Sequence, residues 1–370
     1  REGISVVGID HTPDAPGLKS RYCKPIIAPH PTKEPEVALE FLLKDEKRAW
    51  MRHAKKGILY PTSDEYVLFV SHHRDELSHD FHFALPAEDI VESILNKRKQ
   101  YDLAERTGTP YPRTIYLESM DEVDHIKDEL EYPVFIKPYR SHTWREKFRV
   151  KGFKVRNARE LVDRYNRVFE AKLEAMVQSI VTGPDSNIVE VYAYLDQKSE
   201  PVAVLVAKKL RQHPCGFGVS TCSETVHEDA AVQIALRFYR GIQYKGIGHI
   251  ELKKDCQDGK YKMLELNPRT CPHNVQPTYA GINFPLIQYM DLTDQLDVRN
   301  RDYIDGIKWL DATPDFLAFL QLSQKGELSL SEWLKSIWTT RCHAYYARDD
   351  PGPFLRQYWN KFLQMPEYLI

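Results

Sequence analysis

A chain of 370 residues is too long for one ordinary core and long enough for two or three packed units. Hydrophobic residues at 42% and charged residues at 28% are ordinary for a globular chain and exclude a disordered or fibrous one. The 51 basic and 53 acidic side chains nearly cancel, so no global field attracts nucleic acid or an anionic membrane, and any anion needs a local site.

The six cysteines, Cys23, Cys215, Cys222, Cys256, Cys271 and Cys342, form no C-x-x-C pair and no regular spacing, which speaks against a zinc ribbon or a disulfide framework. No window approaches a membrane span, and the N-terminus has no basic-then-apolar signal pattern. The expectation is a cytoplasmic protein with neither a membrane nor a nucleic-acid partner. The chain opens on Arg1, Glu2 and Gly3 directly before an apolar run, so its N-terminal unit is expected to lack a beginning.

In chain order, residues 4–10 read as a buried parallel strand whose end, Asp10, faces a cleft. Helical spacing follows over 34–54 and a further strand over 59–70, so 1–86 is expected to be a parallel α/β layer. Residues 87–106 look helical and stop at the breaker cluster Gly108 to Pro112, which makes 87–113 a linker helix and turn. A helix at 121–130, a strand at 134–137, a basic loop at 139–149, a helix at 158–170 and a strand at 176–181 form a small α+β unit over 114–181. Strands at 188–195 and 202–210 and a helix at 228–240 lead to a strand pair at 248–252 and 262–266. The turn residues of 255–259 make that pair a hairpin within a larger unit, 182–300. The aromatic tail, 301–370, is expected to be a helical extension whose Trp309, Trp333, Trp338 and Trp359 serve packing.

The hairpin carries the most informative chemistry. Side chains two apart on a strand share a face, so Glu265 and Asn267 point the same way. Glu251 on the neighbouring strand completes an oxygen site suited to Mg²⁺ shared with substrate phosphates. An isolated E-x-N would read as ordinary surface residues; its company changes that. Lys137 ends a buried strand where it can reach phosphate oxygens, and the basic loop behind it can close over a triphosphate. The strand at 176–181 can offer backbone groups to an adenine edge, and Asp185 just beyond can accept from ribose hydroxyls. Lys209 and Arg211, at a strand end before the glycine-bearing loop of Gly216 and Gly218, read as binding a γ-phosphate or a substrate carboxylate. Cys271 and His273 lack an orienting third group and do not read as a nucleophile pair.

This ordered set (Lys97, Lys137 before Pro138, Gln178 to Val181, Gly183, Lys209 with Arg211, Glu251, and Glu265 to Arg269) resembles the ATP-grasp superfamily over residues 59–290. Through Tyr60 to Asp64, Arg74 to Leu77, Lys209 to Gln212 and Gly218 it is most similar to carboxylate-amine ligases of the D-aspartate ligase type. The resemblance implies an ATP-grasp fold behind an N-terminal parallel α/β domain, with ATP and Mg²⁺ as cofactors. It implies Lys97 and Lys137 on phosphates, Gln178 and Ile180 on adenine, Asp185 on ribose, and Glu251, Glu265 and Asn267 on magnesium. Arg269 would stabilise an acyl phosphate and the tetrahedral intermediate. The loop after Lys137 departs from the glycine- or serine-rich pattern of many members, with Arg140, Ser141 and Lys154 as its phosphate candidates.

The expected reaction joins a small-molecule carboxylate to an amine through an acyl phosphate, with release of ADP. A mobile small unit would exclude water, and a homodimer is left open. A carboxylase-like or carbamoyl-phosphate-forming enzyme of the same superfamily is the alternative, as is a non-catalytic nucleotide-binding protein.

Overall fold

The computed structural model describes residues 2–44, 56–297 and 302–368, and side chains other than His142 as far as Asn360. In the N-terminal part, β1 (Val7–Asp10) pairs in parallel with β2 (Lys24–Ile27), followed by α1 (Pro35–Leu43); the remainder of the helix expected to reach 54 lies outside the described residues. A second parallel pair, β3 (Gly57–Ile58) and β4 (Phe81–His82), brackets α2 (Asp64–His72) and α3 (Arg74–Ser78). The strand expected at 59–70 is therefore mostly helix. Ser63 caps α2 by accepting from the Tyr66 amide, and Asp64 and Glu65 fill the first turn, a start signal that outweighs the β-branched content.

Asn96 divides the expected helix at 87–106 into α4 (Glu88–Leu95) and α5 (Lys97–Arg106), because its side chain caps α5 through the Arg98 and Lys99 amides. A four-stranded antiparallel sheet follows: β5 (Thr114–Tyr116), β6 (Val134–Pro138), β7 (Phe153–Val155) and β8 (Ala175–Ser179), in the order β5-β8-β6-β7, with α6 (Met120–Ile126), α7 (Ser141–Phe148) and α8 (Ala158–Glu170). One face of this sheet, Val134, Ile136, Val155, Ala175 and Val177, packs on Val123 of α6 and on Leu161, Tyr165 and Val168 of α8. These α8 positions recur at the spacing of a helix turn, and each buried aliphatic contributes roughly 1.5–3 kcal/mol. The stretch after Lys137, expected as a loop, is the helix α7, held by Trp144, whose ring is 1% exposed.

The largest sheet has seven strands in the order β13-β12-β9-β10-β11-β14-β15. Its members are β9 (Ile188–Leu195), β10 (Pro201–His213), β11 (Val219–Thr225), β12 (Gly246–Lys254), β13 (Tyr261–Asn267), β14 (Lys308–Leu310) and β15 (Cys342–His343). Helix α9 (Asp229–Gly241) covers one face through Ala231, Ala235, Phe238 and Tyr239. On the other face lie α10 (Val275–Tyr279) and α11 (Phe284–Leu292), against Tyr192, Tyr194, Leu205 and Ala207. The hairpin expected from the turn at 255–259 is β12–β13.

The tail adds α12 (Ala312–Gln324), α13 (Leu330–Trp338) and α14 (Gly352–Tyr368), and β14 and β15 extend the large sheet, which the sequence did not suggest. Of its tryptophans, Trp309 is core, whereas Trp338 is 88% and Trp359 55% exposed. Among the described residues no helix is long and apolar enough to cross a membrane.

Candidate functional site

The register of the four-stranded sheet sorts its residues. Phe135 stands opposite both Lys154 and Gln178, and Lys137 opposite Met176, so these five share the face turned away from α8. That face meets the edge of the large sheet. Lys137 Nζ donates to the Leu264 carbonyl of β13 at 2.8 Å and to Tyr101 Oη of α5 at 2.7 Å, and Tyr101 Oη donates to the same carbonyl at 2.7 Å. Gln100 fastens α5 to β13 by accepting from the Leu266 amide and donating to its carbonyl, both at 3.0 Å. At the outer rim, Phe135 stacks on Phe217 at 4.3 Å, and Lys151 Nζ donates to the Gly218 carbonyl at 2.7 Å. Gly218 has to be glycine, since a Cβ there would collide with the His213 backbone.

On the floor of this cleft, Glu251 stands opposite Glu265 and His249 opposite Asn267, so all four share one face of the β12–β13 hairpin. Each carboxylate is met by a lysine: Lys97 Nζ lies 2.8 Å from Glu265 Oε2, and Lys209 Nζ lies 2.9 Å from Glu251 Oε2. Burial works against the charge on Lys209, but Glu251 and then Glu190 outweigh it and hold its pKa above the ordinary lysine value. Burial likewise opposes the Glu265 carboxylate, yet Lys97, Lys137 and Lys151 hold it well below the ordinary range. Lys137 has no carboxylate in contact among the described residues; burial, with Lys97 nearby, lowers it to about 7. Three oxygen-bearing side chains on one face, with lysines converging from α5, β6 and β10, form a donor set suited to a small hard cation and the phosphates around it.

Beneath lies a layer of buried polar groups. Glu190, at the centre of the apolar strand β9, is 1% exposed. His273 Nε2 lies 2.8 Å from it, Tyr192 Oη donates to it at 2.8 Å, and Lys209 Nζ lies 3.5 Å away. Ligand atoms of Glu190, His249 and Glu251 all fall within 4.8 Å of one another. Burial lowers His249 to about 4, so the ring is neutral. Arg269, just past β13, donates from Nε to Asp64 Oδ1 at 2.6 Å, which brings the N-terminus of α2 to the cleft.

Of the residues singled out in the sequence, the cleft thus gathers Lys97, Lys137, Gln178, Lys209, Glu251, Glu265, Asn267 and Arg269. Ile180, half-buried, lies just past β8, and Lys154 is exposed on β7. Gln178 Nε2 donates to Thr114 Oγ1 at 2.9 Å, and the backbone at Gln178 is paired with β5 on one side and β6 on the other. Arg140, exposed, and Ser141 sit at the start of α7 rather than in a loop.

Two residues go elsewhere. Arg211 does not share a site with Lys209: a β-bulge between them sets Lys209 opposite Ser223 but Arg211 opposite Cys222, on the other face. Arg211 Nε and Nη2 pair with both Asp315 oxygens at 2.8 and 2.9 Å, and Nη1 donates to Ser336 at 2.8 Å. Asp185 accepts from Gln212 Nε2 at 2.8 Å and from the Gly216 amide at 3.1 Å, so its carboxylate fastens the β10–β11 loop instead of standing free for a ribose. Sequence reasoning missed Lys151, Glu190, His249 and Tyr101. A lone acid inside an apolar run marks Glu190, and a histidine in step with Glu251 marks His249; Lys151 carries no local signal.

No family model matches the chain. It is similar to D-aspartate ligase of Enterococcus faecium (strain Aus0004), 28% identical over 279 residues, 73% of this chain and 66% of that protein. It is also similar to D-alanine–D-alanine ligase of Marinomonas sp. (strain MWYL1), 26% identical over 196 residues, 48% of this chain and 58% of that protein. The chain thus spans about two thirds or less of the length of these curated relatives. Among solved structures, N5-carboxyaminoimidazole synthetase from Staphylococcus aureus aligns with a TM-score of 0.63 at 11% identity, over 88% of this chain and 80% of that one. The chain has the ATP-grasp fold expected from its motifs.

Proposed function

We propose that the protein is an ATP-dependent ligase that joins a carboxylate to an amine through an acyl phosphate. The observation that carries this is the hairpin face of Glu251, Glu265 and Asn267, opposed by Lys97, Lys137 and Lys209 from three other elements. The similarity to D-aspartate ligase supports the same reading.

Glu251, Glu265 and Asn267 would hold magnesium, which supplies charge neutralisation on the transferring phosphoryl group. Lys97 and Lys137 would exchange their present partners for phosphate oxygens, and Lys209 would meet the γ-phosphate or the substrate carboxylate. The backbone of β8 past Gln178 would face the adenine. An acyl phosphate hydrolyses readily, so closure of the four-stranded unit, through Phe135 on Phe217 and Lys151 on Gly218, would exclude water. Arg269 would donate to the oxyanion that develops when the amine attacks.

The test is ADP release screened over amino acids and acidic acceptors, with hydroxylamine present to trap an acyl phosphate as the hydroxamate. The expected result is carboxylate-dependent ADP and hydroxamate, both lost in Glu265→Gln. ADP release driven by bicarbonate without hydroxamate would turn the reading towards a carboxylase, and binding without any ADP release would sink it.

A further inference from the structure

Arg269 is held against a residue of the N-terminal part, and from that pair we infer that Asp64 receives the amine substrate: its carboxylate accepts from the amine's N–H groups while the neighbouring guanidinium faces the oxyanion. The assignment rests on the ligase reading. It gives a role to residues 60–64, a stretch that the nucleotide and metal sites do not use.

The pair sets one donor and one acceptor side by side. Arg269 Nε donates to Asp64 Oδ1 at 2.6 Å, and Nη1 donates to the Thr270 carbonyl at 3.3 Å. Nη2 of Arg269 and Oδ2 of Asp64 have no hydrogen-bond partner among the described residues, and the two side chains are 20% and 48% exposed. Attack of an amine on an acyl phosphate leaves the oxyanion and the new nitrogen on the same carbon, so the two need a donor and an acceptor next to one another. An open guanidinium nitrogen and an open carboxylate oxygen on paired side chains meet that need. An amine offers N–H donors whether or not it is protonated, and a carboxylate binds them roughly twice as strongly as a neutral acceptor does.

The pair lies beside the phosphate site. Arg269 follows Asn267 by two residues, just past β13, and Asp64 opens α2. Burial opposes the charge on Lys97, but Glu265, then Tyr101 and Asp64, outweigh it and raise its pKa above the ordinary lysine value. Asp64 is thus within electrostatic reach of the lysine that meets Glu265. Stability does not account for the pair. An ion pair this open to solvent contributes little, and the start of α2 is already capped by Ser63, which accepts from the Tyr66 amide.

The experiment is a pair of assays on wild type, Asp64→Asn and Asp64→Glu, with the amino acid that best supports ADP release as the carboxylate. Hydroxylamine at saturating concentration reads acyl phosphate formation as the hydroxamate. Glycinamide, methylamine and ammonium, which carry no carboxylate, read amide formation, and ADP binding by calorimetry reports on the fold. Asparagine keeps an oxygen for Arg269 Nε and loses the charge. Asp64→Asn should therefore form hydroxamate and bind ADP as wild type does, while KM for the amine rises by about 10–100-fold. Asp64→Glu, which keeps the carboxylate, should recover part of that loss. A fall in kcat with KM for the amine unchanged would overturn the inference, because Asp64 would then only aim Arg269. So would loss of hydroxamate or of ADP binding alongside the amide, or a wild type that makes hydroxamate but no amide with any of these amines. A wild type that makes no hydroxamate would remove the ligase reading itself, and the role of Asp64 with it.

Discussion

Lys209 and Arg211 lie two residues apart on β10, both almost fully buried and both paired with carboxylates, yet they belong to different kinds of place. Around Arg211 every group is used: Asp315 accepts from Arg211, from Thr221 Oγ1 at 2.8 Å and from Trp333 Nε1 at 2.8 Å, while Arg211 Nη1 reaches Ser336. Around Lys209 the charges are in excess of their partners. Glu190, Glu251 and Glu265 share Lys209, Lys97 and His273, and Lys137 stands near them with only neutral acceptors. Burial of charge alone therefore does not mark a site. What marks the cleft is a set of charges left to be completed by something else, whereas the saturated set around Asp315 bolts the tail to the sheet.

The largest effect that could break this contrast is on stability. Asp315→Ala leaves Arg211 buried and unpaired, which should lower stability by about 3–5 kcal/mol in denaturant titration while nucleotide affinity of the folded protein is kept. A parallel loss of nucleotide affinity would tie the tail to the cleft after all. The opposite signature is expected at Arg269. Arg269→Ala should slow amide formation by roughly 100-fold to 1000-fold, with ATP-analogue binding by calorimetry retained; a matching fall in binding would move Arg269 to the nucleotide site.

A smaller effect concerns Lys137, whose pKa of about 7 in the free protein comes from burial and from Lys97. Above that pH the free lysine is neutral, while phosphate oxygens favour its charged form. MgATP binding at pH 8 should therefore take up a proton, and affinity should fall from pH 7 to pH 9 by at most about tenfold per unit. Calorimetry in buffers of different ionisation enthalpy reads this uptake, and Lys137→Met should abolish it. For folding the sign is fixed too: the unfolded chain binds more protons between about pH 7 and the ordinary lysine value, so this group's contribution to stability rises with pH there. The smallest effect belongs to the tail. Ser329 and Glu332 form a capping box on α13, the helix that brings Trp333 to Asp315. Ser329→Ala should cost about 1 kcal/mol, read as a shift of the thermal midpoint; no shift would mean that Trp333 and Ser336 alone hold α13.

The cleft residues legible in the sequence were those fixed by local periodicity. Glu265 and Asn267 share a face because strands alternate, and the turn at 255–259 brings Glu251 opposite. Arg211 was misplaced for the complementary reason: it was read with Lys209 as one basic strand end, and a bulge, which has no strong local signature, turns it to the other face. Glu190 and His249 depend on which strands are neighbours, a fact of the sheet's order. The strand expected at 59–70 shows competition of another kind: a serine cap and an acidic first turn set a helix where apolar content suggested extended chain.

The bulge at Leu210, and not the number of residues in β10, keeps the two cations apart. Deleting Leu210 would make Arg211 the direct neighbour of Lys209, and neighbours on a regular strand face opposite sides, so Arg211 would stay with Asp315. Flattening the bulge at unchanged length would instead set Arg211 on the face of Lys209, withdrawing it from Asp315 and placing a second cation against Glu251. Substitutions along β10 touch one neighbourhood at a time, but loss of the bulge would unfasten the tail and overcharge the cleft together.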